Sequence, residues 1–236
     1  MEWNSRTELL IGKEKVKKLE QSHVLVVGLG GVGSYAAEML ARAGIGELTI
    51  VDGDVIKSSN RNRQLLALQS LENKSKAEIM QARLIDINPE IKVNVIPKFL
   101  KGTDMPDLMT TKYDYVIDAI DTLTPKVFLI VNSIQHNYPL ISSMGAGGKM
   151  NPFNIKIADI SESYNCKLAR MIRKRLNKFK IKSGFDVVFS SESVEKDSVI
   201  FIEDEQNKKT TTGTISYMPA MFGILAASKV IERIVK

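Results

Sequence analysis

The sequence predicts an α/β protein with a Rossmann-like, mainly parallel sheet that has helices on both faces. Two observations predict it. Short apolar runs alternate with helical patterns through residues 1–150, and the first run ends in a glycine-rich turn at residues 28–34. Because such alternation requires a parallel sheet with right-handed crossovers, we expect one domain over residues 1–236. We expect antiparallel strands and an inserted basic helix to extend it within residues 151–236.

The first elements alternate between strand and helix. Residues 23–28 form a continuous apolar run that closes on glycine, as a buried strand does, and residues 35–43 repeat small and apolar side chains at helical spacing. Residues 47–52 predict a second strand. Residues 76–87 predict a second helix, which ends before a proline, and residues 93–96 predict a third strand.

The alternation continues to residue 148 and then changes. Strand patterns at residues 113–118 and 140–143 enclose a helical pattern at residues 125–136. Beyond residue 148, apolar and polar residues alternate with a period of two, as in antiparallel strands with one buried face, and a basic helix follows. The further predicted elements are strands at residues 153–160, 186–189 and 199–202, a polar mobile span at 203–214, and a last helix at 219–235.

The net charge of +6 comes from one segment of the chain. Between Cys166 and Lys182 lie eight basic residues and no acidic ones, which leaves 25 basic and 27 acidic residues, a charge of −2, for the rest. Apolar side chains recur at helical spacing through this segment, so it predicts a helix with one apolar and one cationic face. The cationic face favours a polyanion as partner, and the alternative is a solvated lysine-rich helix.

Composition excludes several classes of protein. With 44% hydrophobic and 25% charged residues the chain is neither disordered nor fibrous. Cys166 is the only cysteine, which excludes an intramolecular disulfide and a cysteine-based zinc site and favours the cytoplasm. The apolar stretch at residues 218–227 is shorter than the ~18 residues of a membrane span, so we expect no membrane insertion. His23 and His136 belong to no catalytic constellation and are predicted to be structural.

The glycine-rich turn predicts an anion site. Gly28, Gly30 and Gly33 match the G-x-G-x-x-G pattern after a strand and at the start of a helix, the context that the motif requires. They permit the tight turn, the approach of a phosphate and close helix–sheet packing, respectively. Asp52, nineteen residues past Gly33, can accept hydrogen bonds from a ribose. Residues 1–150 are therefore predicted to be a nucleotide-binding half, for which an adenosine nucleotide and NAD fit equally well.

The residues after Asp52 decide against a plain dehydrogenase. Asn60, Arg63 and Lys76 return an amide and two cations toward the glycine turn. Hydride transfer needs no such groups, whereas attack on phosphorus does, because charge spreads over the phosphoryl oxygens. Asp121 follows the fourth strand, where a carboxylate can hold Mg²⁺ between phosphates. Plainer interpretations exist for three of them: Arg63 as a surface ion pair, Lys76 as a solvated lysine and Asp121 as a helix N-cap.

These motifs together resemble the ubiquitin-activating-enzyme-like adenylyltransferases of the ThiF, MoeB and HesA type. The motifs are GLGGVGS from Gly28, VDGDV from Val51, NRNRQ from Asn60, Lys76, and DAIDT from Asp118. The tRNA threonylcarbamoyladenosine dehydratase branch of that superfamily is similar over further motifs: RTELLIG from Arg6, PLISSMGAG from Pro139, IADI from Ile157, the basic helix, and VVFSSE from Val187. One departure is Asn165-Cys166, which stands where that branch has Asp-Pro.

The resemblance implies an adenylate-forming active site with ATP and Mg²⁺ as cofactors. The implied nucleotide-binding residues are Gly28, Gly30, Gly31, Gly33, Asp52, Asn60, Arg63, Gln64 and Lys76. Asp121 is implied as the Mg²⁺ ligand, and Arg63, Lys76 and Asp121 as catalytic residues. Arg6 is implied to be catalytic in the ATP site of the partner subunit of a homodimer.

The same resemblance implies a reaction on tRNA. ATP activates the carboxylate of the threonylcarbamoyl group on adenosine 37, pyrophosphate leaves, and the modification closes on itself and expels AMP. Because the nucleophile is tethered beside the activated carbonyl, this step needs no enzyme thiol, and Cys166 is expected to be incidental. The tRNA contacts are predicted on the basic helix, at Lys167, Arg170, Arg173, Lys174 and Lys178.

Two other classes of function stay open. An adenylyltransferase for the C-terminal glycine of a ubiquitin-like sulfur-carrier protein would share the nucleotide site, but such enzymes often carry paired CxxC zinc ligands, which one cysteine cannot supply. A nucleotide-binding, redox-sensing module without chemistry would require the loss of a phosphate-contacting residue, and the sequence shows no such loss. A sulfur-transfer protein is a further partner that the resemblance allows.

Overall fold

The computed structural model of the chain describes residues 3–194, 199–201 and 210–236. Its strands are β1 (His23–Val27), β2 (Glu47–Val51), β3 (Lys92–Ile96), β4 (Tyr115–Asp118), β5 (Leu140–Ser143), β6 (Ile155–Asp159), β7 (Asp186–Ser190), β8 (Val199–Phe201) and β9 (Thr210–Thr212). Its helices are α1 (Ser5–Ile11), α2 (Lys13–Glu20), α3 (Gly33–Ala43), α4 (Lys76–Ile87), α5 (Met105–Leu108), α6 (Leu123–Gln135), α7 (Lys167–Leu176) and α8 (Tyr217–Val235).

The first seven strands form one sheet in the order β3-β2-β1-β4-β5-β7-β6. Strands β1 to β5 and β7 pair in parallel, and β6, at the edge, runs antiparallel to β7. The order of the strands reverses between β1 and β4. In open α/β sheets, ligands bind beyond the carboxyl ends of the strands at such a switch point.

Helices cover both faces of the sheet, which is why the inner strands are continuously apolar. Strands β4 and β5 are buried at every position. On one face α3, α4 and α8 form a core that contains Leu40, Met80 and Phe222. On the other face α6 and α7 form a core that contains Ile130 and Ile172. The sheet thus holds the ends of β1, β2 and β4 rigidly between two packed layers.

The predicted α/β fold and the alternation of β1 to β5 with α3, α4 and α6 are confirmed, with bounds within two residues of those predicted. The structure adds α1, α2 and the four-residue helix α5, which the sequence patterns do not predict. Within the described ranges, no helix is both long enough and apolar enough to cross a membrane.

The second half of the chain departs from the prediction in three places. The strand expected from residue 153 begins at Ile155, because Pro152–Asn154 forms a 3-10 turn capped by the side chain of Asn151. Strands β8 and β9 pair with each other and do not join the edge of the large sheet. Within the polar span predicted at residues 203–214, Thr210–Thr212 forms β9, and residues 202–209 lie outside the described residues.

Candidate nucleotide-binding site

The glycine turn joins β1 to α3 at the switch point of the sheet. Gly28 has a φ of +90°, and a Cβ there would lie 2.7 Å from the carbonyl oxygen of Ala119. A Cβ on Gly33 would lie 1.7 Å from the carbonyl oxygen of Gly28. Both positions therefore require glycine for backbone reasons, and they bring the start of α3 against the ends of β1 and β4.

The other two glycines of the turn have different surroundings. A Cβ on Gly31 would meet Pro219 of α8 at 2.9 Å, so this glycine permits close packing of α8. Around Gly30 the nearest atom to such a Cβ is Nε2 of Gln64, at 3.7 Å. Because Val32 at the N-cap of α3 has no polar side chain, the helix N-terminus can offer its N–H groups to an anion beside Gly30.

Asp52 ties the glycine turn to the loop that follows β2. Its Oδ2 accepts a hydrogen bond from the N–H of Leu29 at 2.6 Å, and its Oδ1 accepts one from the N–H of Asp54 at 2.8 Å. Burial raises the pKa of the Asp52 carboxyl, and the N–H of Leu29 and the charge of Lys76 oppose that rise. Each carboxylate oxygen keeps a further lone pair, which a ribose hydroxyl can use.

Lys76 is buried and paired, so its interpretation as a solvated lysine is wrong. The residue is 3% exposed, and its Nζ lies 2.6 Å from Oδ2 of Asp54. Its backbone N–H also donates to the carbonyl oxygen of Asp54 at 3.1 Å. Lys76 is the first residue of α4, where Ser75 caps the helix. Asp54 is a site residue whose role the sequence leaves open, although it stands two positions after Asp52.

The segment from Asn60 to Gln64 forms one wall of the site. Asn60 is buried, and its Oδ1 accepts a hydrogen bond from the N–H of Lys57 at 3.2 Å. Its carbonyl oxygen accepts from the N–H groups of Arg63 and Gln64 at 3.1 and 3.0 Å. The Arg63 guanidinium donates to two oxygens of its own loop, the carbonyl of Ser59 and Oδ1 of Asn62. This loop therefore presents Arg63 and Gln64 next to the glycine turn.

Asp121 lies exposed in the turn between β4 and α6. Thr122 holds the N-cap position of α6, so Asp121 is not the N-cap. Among the described residues no three His, Cys, Asp or Glu side chains group to hold a metal ion. Mg²⁺ fits this donor set, since it is bound through one or two carboxylates with substrate phosphates and water completing its ligands.

Comparisons with known proteins identify the superfamily. The sequence model of the ThiF family matches residues 4–236. The chain belongs to the ThiF family. The tRNA threonylcarbamoyladenosine dehydratase of Bacillus subtilis is 38% identical over 239 residues, which cover 98% of this chain and 94% of that protein. This chain is also 35% identical to the Escherichia coli sulfur carrier protein ThiS adenylyltransferase, over 136 residues that cover 57% of this chain and 54% of that protein.

A solved structure extends the similarity to three dimensions. The crystal structure of the E. coli tRNA N6-threonylcarbamoyladenosine dehydratase TcdA in complex with ATP has a TM-score of 0.89 and 34% sequence identity to this chain. The match covers 98% of this ThiF-family chain and 92% of the E. coli chain. The added second half of the fold is therefore shared as well as the nucleotide-binding half.

The basic helix of this ThiF-family chain is α7, which presents an exposed cationic face. Lys167, Arg170 and Lys174 are exposed on α7, and Lys178, also exposed, lies in the 3-10 turn Asn177–Phe179 that follows the helix and not on α7 itself. Arg173 differs, because it is partly buried and donates to the carbonyl oxygen of Ser163 at 2.8 Å, to that of Ile160 and to the Ser163 hydroxyl. Arg173 is thus an anchor of α7 and not part of the exposed cationic face to which the sequence assigns it.

Another arginine of α7 connects this face to the nucleotide site of the ThiF fold. Nη1 of Arg175 lies 2.9 Å from Oγ1 of Thr124, in the first turn of α6. Asp121 is three residues before Thr124. The exposed cations of α7 therefore stand on a helix that is packed beside the turn that carries Asp121.

Lys149 is a buried lysine that the sequence analysis misses. Its Nζ donates to the carbonyl oxygens of Asn165 and Glu192, and burial lowers its pKa. The Glu192 carboxylate accepts in turn from the N–H groups of Met150 and Asn151. These bonds tie the loop after β5 to the end of β7 and to the start of α7. No motif in the sequence predicts them, because they join segments far apart in the chain.

The remaining predicted residues of this ThiF-family chain are one cysteine, two histidines and Arg6. Cys166 is buried at the N-cap of α7 and makes no side-chain cap bond there. Nε2 of His23 lies 2.8 Å from Oγ1 of Thr49, and Nδ1 of His136 lies 2.9 Å from the carbonyl oxygen of Asn132. The structural role predicted for both histidines stays a prediction. Arg6 lies exposed on α1.

Proposed function

We propose that the chain is an ATP-dependent tRNA threonylcarbamoyladenosine dehydratase. The single observation that carries this proposal is the similarity to enzymes of that name over 98% of the chain, second half included. The proposed reaction adenylates the carboxylate of the threonylcarbamoyl group on a tRNA adenosine. It releases pyrophosphate and, after the modification has closed on itself, AMP.

The first step is attack of a carboxylate oxygen on the α-phosphorus of ATP. A new phosphorus–oxygen bond forms as the bond to pyrophosphate breaks, and the phosphoryl oxygens carry the developing charge. Asp52 is proposed to hold the ribose, with Gly30 and the N-terminus of α3 at the phosphates. Lys76, Asn60, Arg63 and Gln64 are proposed to contact the triphosphate, and Lys76 and Arg63 to oppose its charge.

Mg²⁺ is proposed to bind at Asp121. Bound there, it would supply positive charge that offsets the negative charge of the departing pyrophosphate. Asp121 is exposed and lies at the carboxyl end of β4, next to β1 in the sheet, so its carboxylate is at the edge where the glycine turn lies. The observation that supports this assignment is the position of the carboxylate.

The second step is proposed to proceed without a covalent bond between the substrate and the enzyme. The nucleophile belongs to the modification itself and lies beside the activated carbonyl, so its effective concentration is high. It attacks that carbonyl, the bond from carbonyl carbon to the AMP oxygen breaks, and AMP leaves. Cys166 is buried in the core against α7, which favours a packing role over a covalent one.

The tRNA is proposed to dock on the exposed cations of α7 and of the 3-10 turn that follows it. Lys167, Arg170, Lys174 and Lys178 would contact phosphates and give salt-dependent, largely sequence-independent affinity. The contact of Arg175 with α6 supports this proposal, because it places the cationic helix beside the turn of Asp121. A tRNA held there would have its modified adenosine close to ATP.

A homodimer is proposed from the N-terminal helix. Helix α1 buries none of its own side chains, and Leu9 and Leu10 are 82% and 84% exposed. A second copy that covers these leucines would bury apolar surface and could bring Arg6 to the partner's ATP. Because the substrates are ATP and tRNA, we propose the cytoplasm as the compartment. No described residue points to a sulfur-transfer protein, and none is proposed.

The test is release of AMP and pyrophosphate from ATP and Mg²⁺ with three acceptors. These are threonylcarbamoylated tRNA, unmodified tRNA, and a carrier protein that ends in Gly-Gly. We expect release with the first alone, and its loss in Asp121→Ala. Release with the carrier protein alone would overturn the proposal in favour of a sulfur-carrier adenylyltransferase, with which the similarity covers little more than half of this chain.

A further inference from the structure

A completely buried ion pair lies directly beneath the turn that carries Asp121. The side chains of Asp118, the last residue of β4, and Lys126, in α6, are both 0% exposed. Oδ2 of Asp118 lies 2.8 Å from Nζ of Lys126 and also accepts a hydrogen bond from Oγ of Ser142, in β5, at 2.6 Å. Burial raises the pKa of the Asp118 carboxyl, and the Lys126 ammonium opposes that rise.

The ion pair makes hydrogen bonds to both the backbone N–H and the backbone carbonyl of Ile120, in the turn after β4. Nζ of Lys126 donates to the carbonyl oxygen of Ile120 at 2.9 Å, and Oδ1 of Asp118 accepts from the N–H of Ile120 at 3.1 Å. Ile120 is the residue before Asp121. On its other side, the N–H of Ala119 donates to the carbonyl oxygen of Val27 at 2.8 Å. Hydrogen bonds therefore hold the backbone of both Ala119 and Ile120, the two residues that precede Asp121.

Stability alone does not account for such a pair. Removing two charges from water is costly, and a buried ion pair is often no more stabilising than apolar side chains of similar volume. The rest of α6 that faces the core is apolar, with Val127, Ile130 and Val131 buried. A lysine among them has a specific use if its ammonium must reach the carbonyl of Ile120.

We propose that Lys126 and Asp118 are positioning residues, which fix the turn at residues 119–121 so that the Asp121 carboxylate is set for a metal-bound triphosphate. Neither residue touches substrate. The proposal rests on the proposed function for the role of Asp121. It follows that loss of the pair impairs metal binding even in a well-folded protein.

The test uses Mn²⁺ as a probe for Mg²⁺ and a non-hydrolysable ATP analogue, with free Mn²⁺ measured by electron paramagnetic resonance. Lys126→Met keeps the length of the side chain and removes its charge. We expect the ternary complex of this variant to bind Mn²⁺ about 10–100-fold more weakly, the range found for partners that orient metal ligands. Affinity for the metal-free analogue should change by less than about threefold, because Asp52 and the glycine turn are intact.

Two further variants keep the test decisive if Lys126→Met folds poorly, since it leaves an unpaired carboxylate in the core. The double variant Asp118→Asn, Lys126→Met removes both charges, and we expect it to recover stability but not Mn²⁺ affinity. Ser142→Ala keeps the ion pair and removes one hydrogen bond, and we expect Mn²⁺ binding about 2–5-fold weaker. A purely structural role predicts that Mn²⁺ affinity recovers together with stability.

The control is Glu38→Gln, which disrupts another buried carboxylate, one that pairs with Arg42 and Arg83 between α3 and α4. It should lower stability and leave Mn²⁺ affinity unchanged. Wild-type Mn²⁺ affinity in the folded double variant and in Ser142→Ala would overturn the inference alone. Failure of the wild-type ternary complex to bind Mn²⁺ would overturn the metal role of Asp121 as well, and the inference with it.

Discussion

Lys76 and Asp54 form a close ion pair, with Nζ 2.6 Å from Oδ2, and the lysine is almost completely buried. The pair joins the first residue of α4 to the loop after β2. Through the N–H of Asp54 it also connects to Asp52, which accepts from Leu29 in the glycine turn. The ammonium is thus ordered before any nucleotide arrives, which is what electrostatic stabilisation of a transition state requires.

We expect Lys76→Met to lower the rate of pyrophosphate release by about 10²–10³-fold, because a preorganised charge at the phosphoryl group is removed. Asp54→Asn should cost less, about tenfold, because the cation stays but is held less firmly. Initial rates with saturating ATP and tRNA measure both effects. A Lys76→Met rate within threefold of wild type would contradict the assignment.

Alanine substitutions at two glycines of the turn distinguish a role in ATP binding from a role in backbone packing. We expect Gly30→Ala to change the free energy of unfolding by less than about 1 kcal/mol, because a Cβ there meets no atom closer than 3.7 Å, and to weaken ATP binding at least ~tenfold. Gly33→Ala should destabilise the fold by about 3 kcal/mol or more, because its Cβ would collide with the carbonyl of Gly28. Urea unfolding and calorimetric titration with ATP measure the two effects. Equal losses of stability would contradict this division.

The raised pKa of Asp52 makes the free energy of unfolding depend on pH. Since its pKa is raised in the fold, the folded state binds more protons than the unfolded state between the ordinary and the raised pKa. The stability of the wild type relative to Asp52→Asn should therefore fall as the pH rises through that window. At neutral pH the variant should bind ATP about 10-fold or more weakly, because a charged acceptor for the ribose is lost.

Urea unfolding across that pH range and calorimetric titration with ATP measure these effects. Asp86→Asn, which changes an exposed carboxylate on α4, is the matched control and should leave both unchanged. A flat stability difference between the wild type and Asp52→Asn would show that burial does not raise the pKa of Asp52.

The exposed cations of α7 should govern the salt dependence of tRNA binding. Alanine at Lys167, Arg170 and Lys174 removes three phosphate contacts, so the slope of log affinity against log salt should fall by about 2–3 units. Filter binding at several salt concentrations measures the slope, and affinity for ATP should not change. The control triple variant places alanine at Lys15, Lys18 and Lys112, which are exposed elsewhere. An equal loss of slope in the control would show a general charge effect instead of a docking face.

Arg173→Ala separates anchoring from docking on the same helix. We expect it to lower stability, because the carbonyl oxygens of Ile160 and Ser163 lose their donor. Its effect on the salt slope should be smaller than that of Arg170→Ala. A larger effect on the slope than on stability would place Arg173 among the tRNA contacts after all.

Local patterns suffice to predict the strands β1 to β5 and the helices α3, α4 and α6 of the nucleotide-binding half. The strands of the sheet are short apolar runs, and the glycine turn follows one of them directly, so spacing along the chain determines what they become. Asp52 and Lys76 could be found for the same reason. Each stands at the boundary of an element, and all such boundaries on one edge of a parallel sheet meet.

Features that depend on distant contacts could not be predicted. In the sequence, Lys126 looks like a solvent-facing charge on an amphipathic helix, and only the neighbouring strands show that it is buried with Asp118. Arg173 has the spacing of the cationic face, but its guanidinium donates hydrogen bonds to the carbonyl oxygens of Ile160 and Ser163. Strand β9 consists of three threonines in a polar span, where no apolar alternation marks a strand.

The most direct test of the central claim follows one oxygen atom. The carboxylate of the threonylcarbamoyl group on tRNA is labelled with a heavy oxygen isotope, and the products of one turnover are analysed by mass spectrometry. If the carboxylate attacks the α-phosphorus, one labelled oxygen stays on the phosphate of AMP, and the modified nucleoside loses the mass of two hydrogens and one labelled oxygen. Unlabelled AMP, or label in inorganic phosphate, would contradict activation by adenylation.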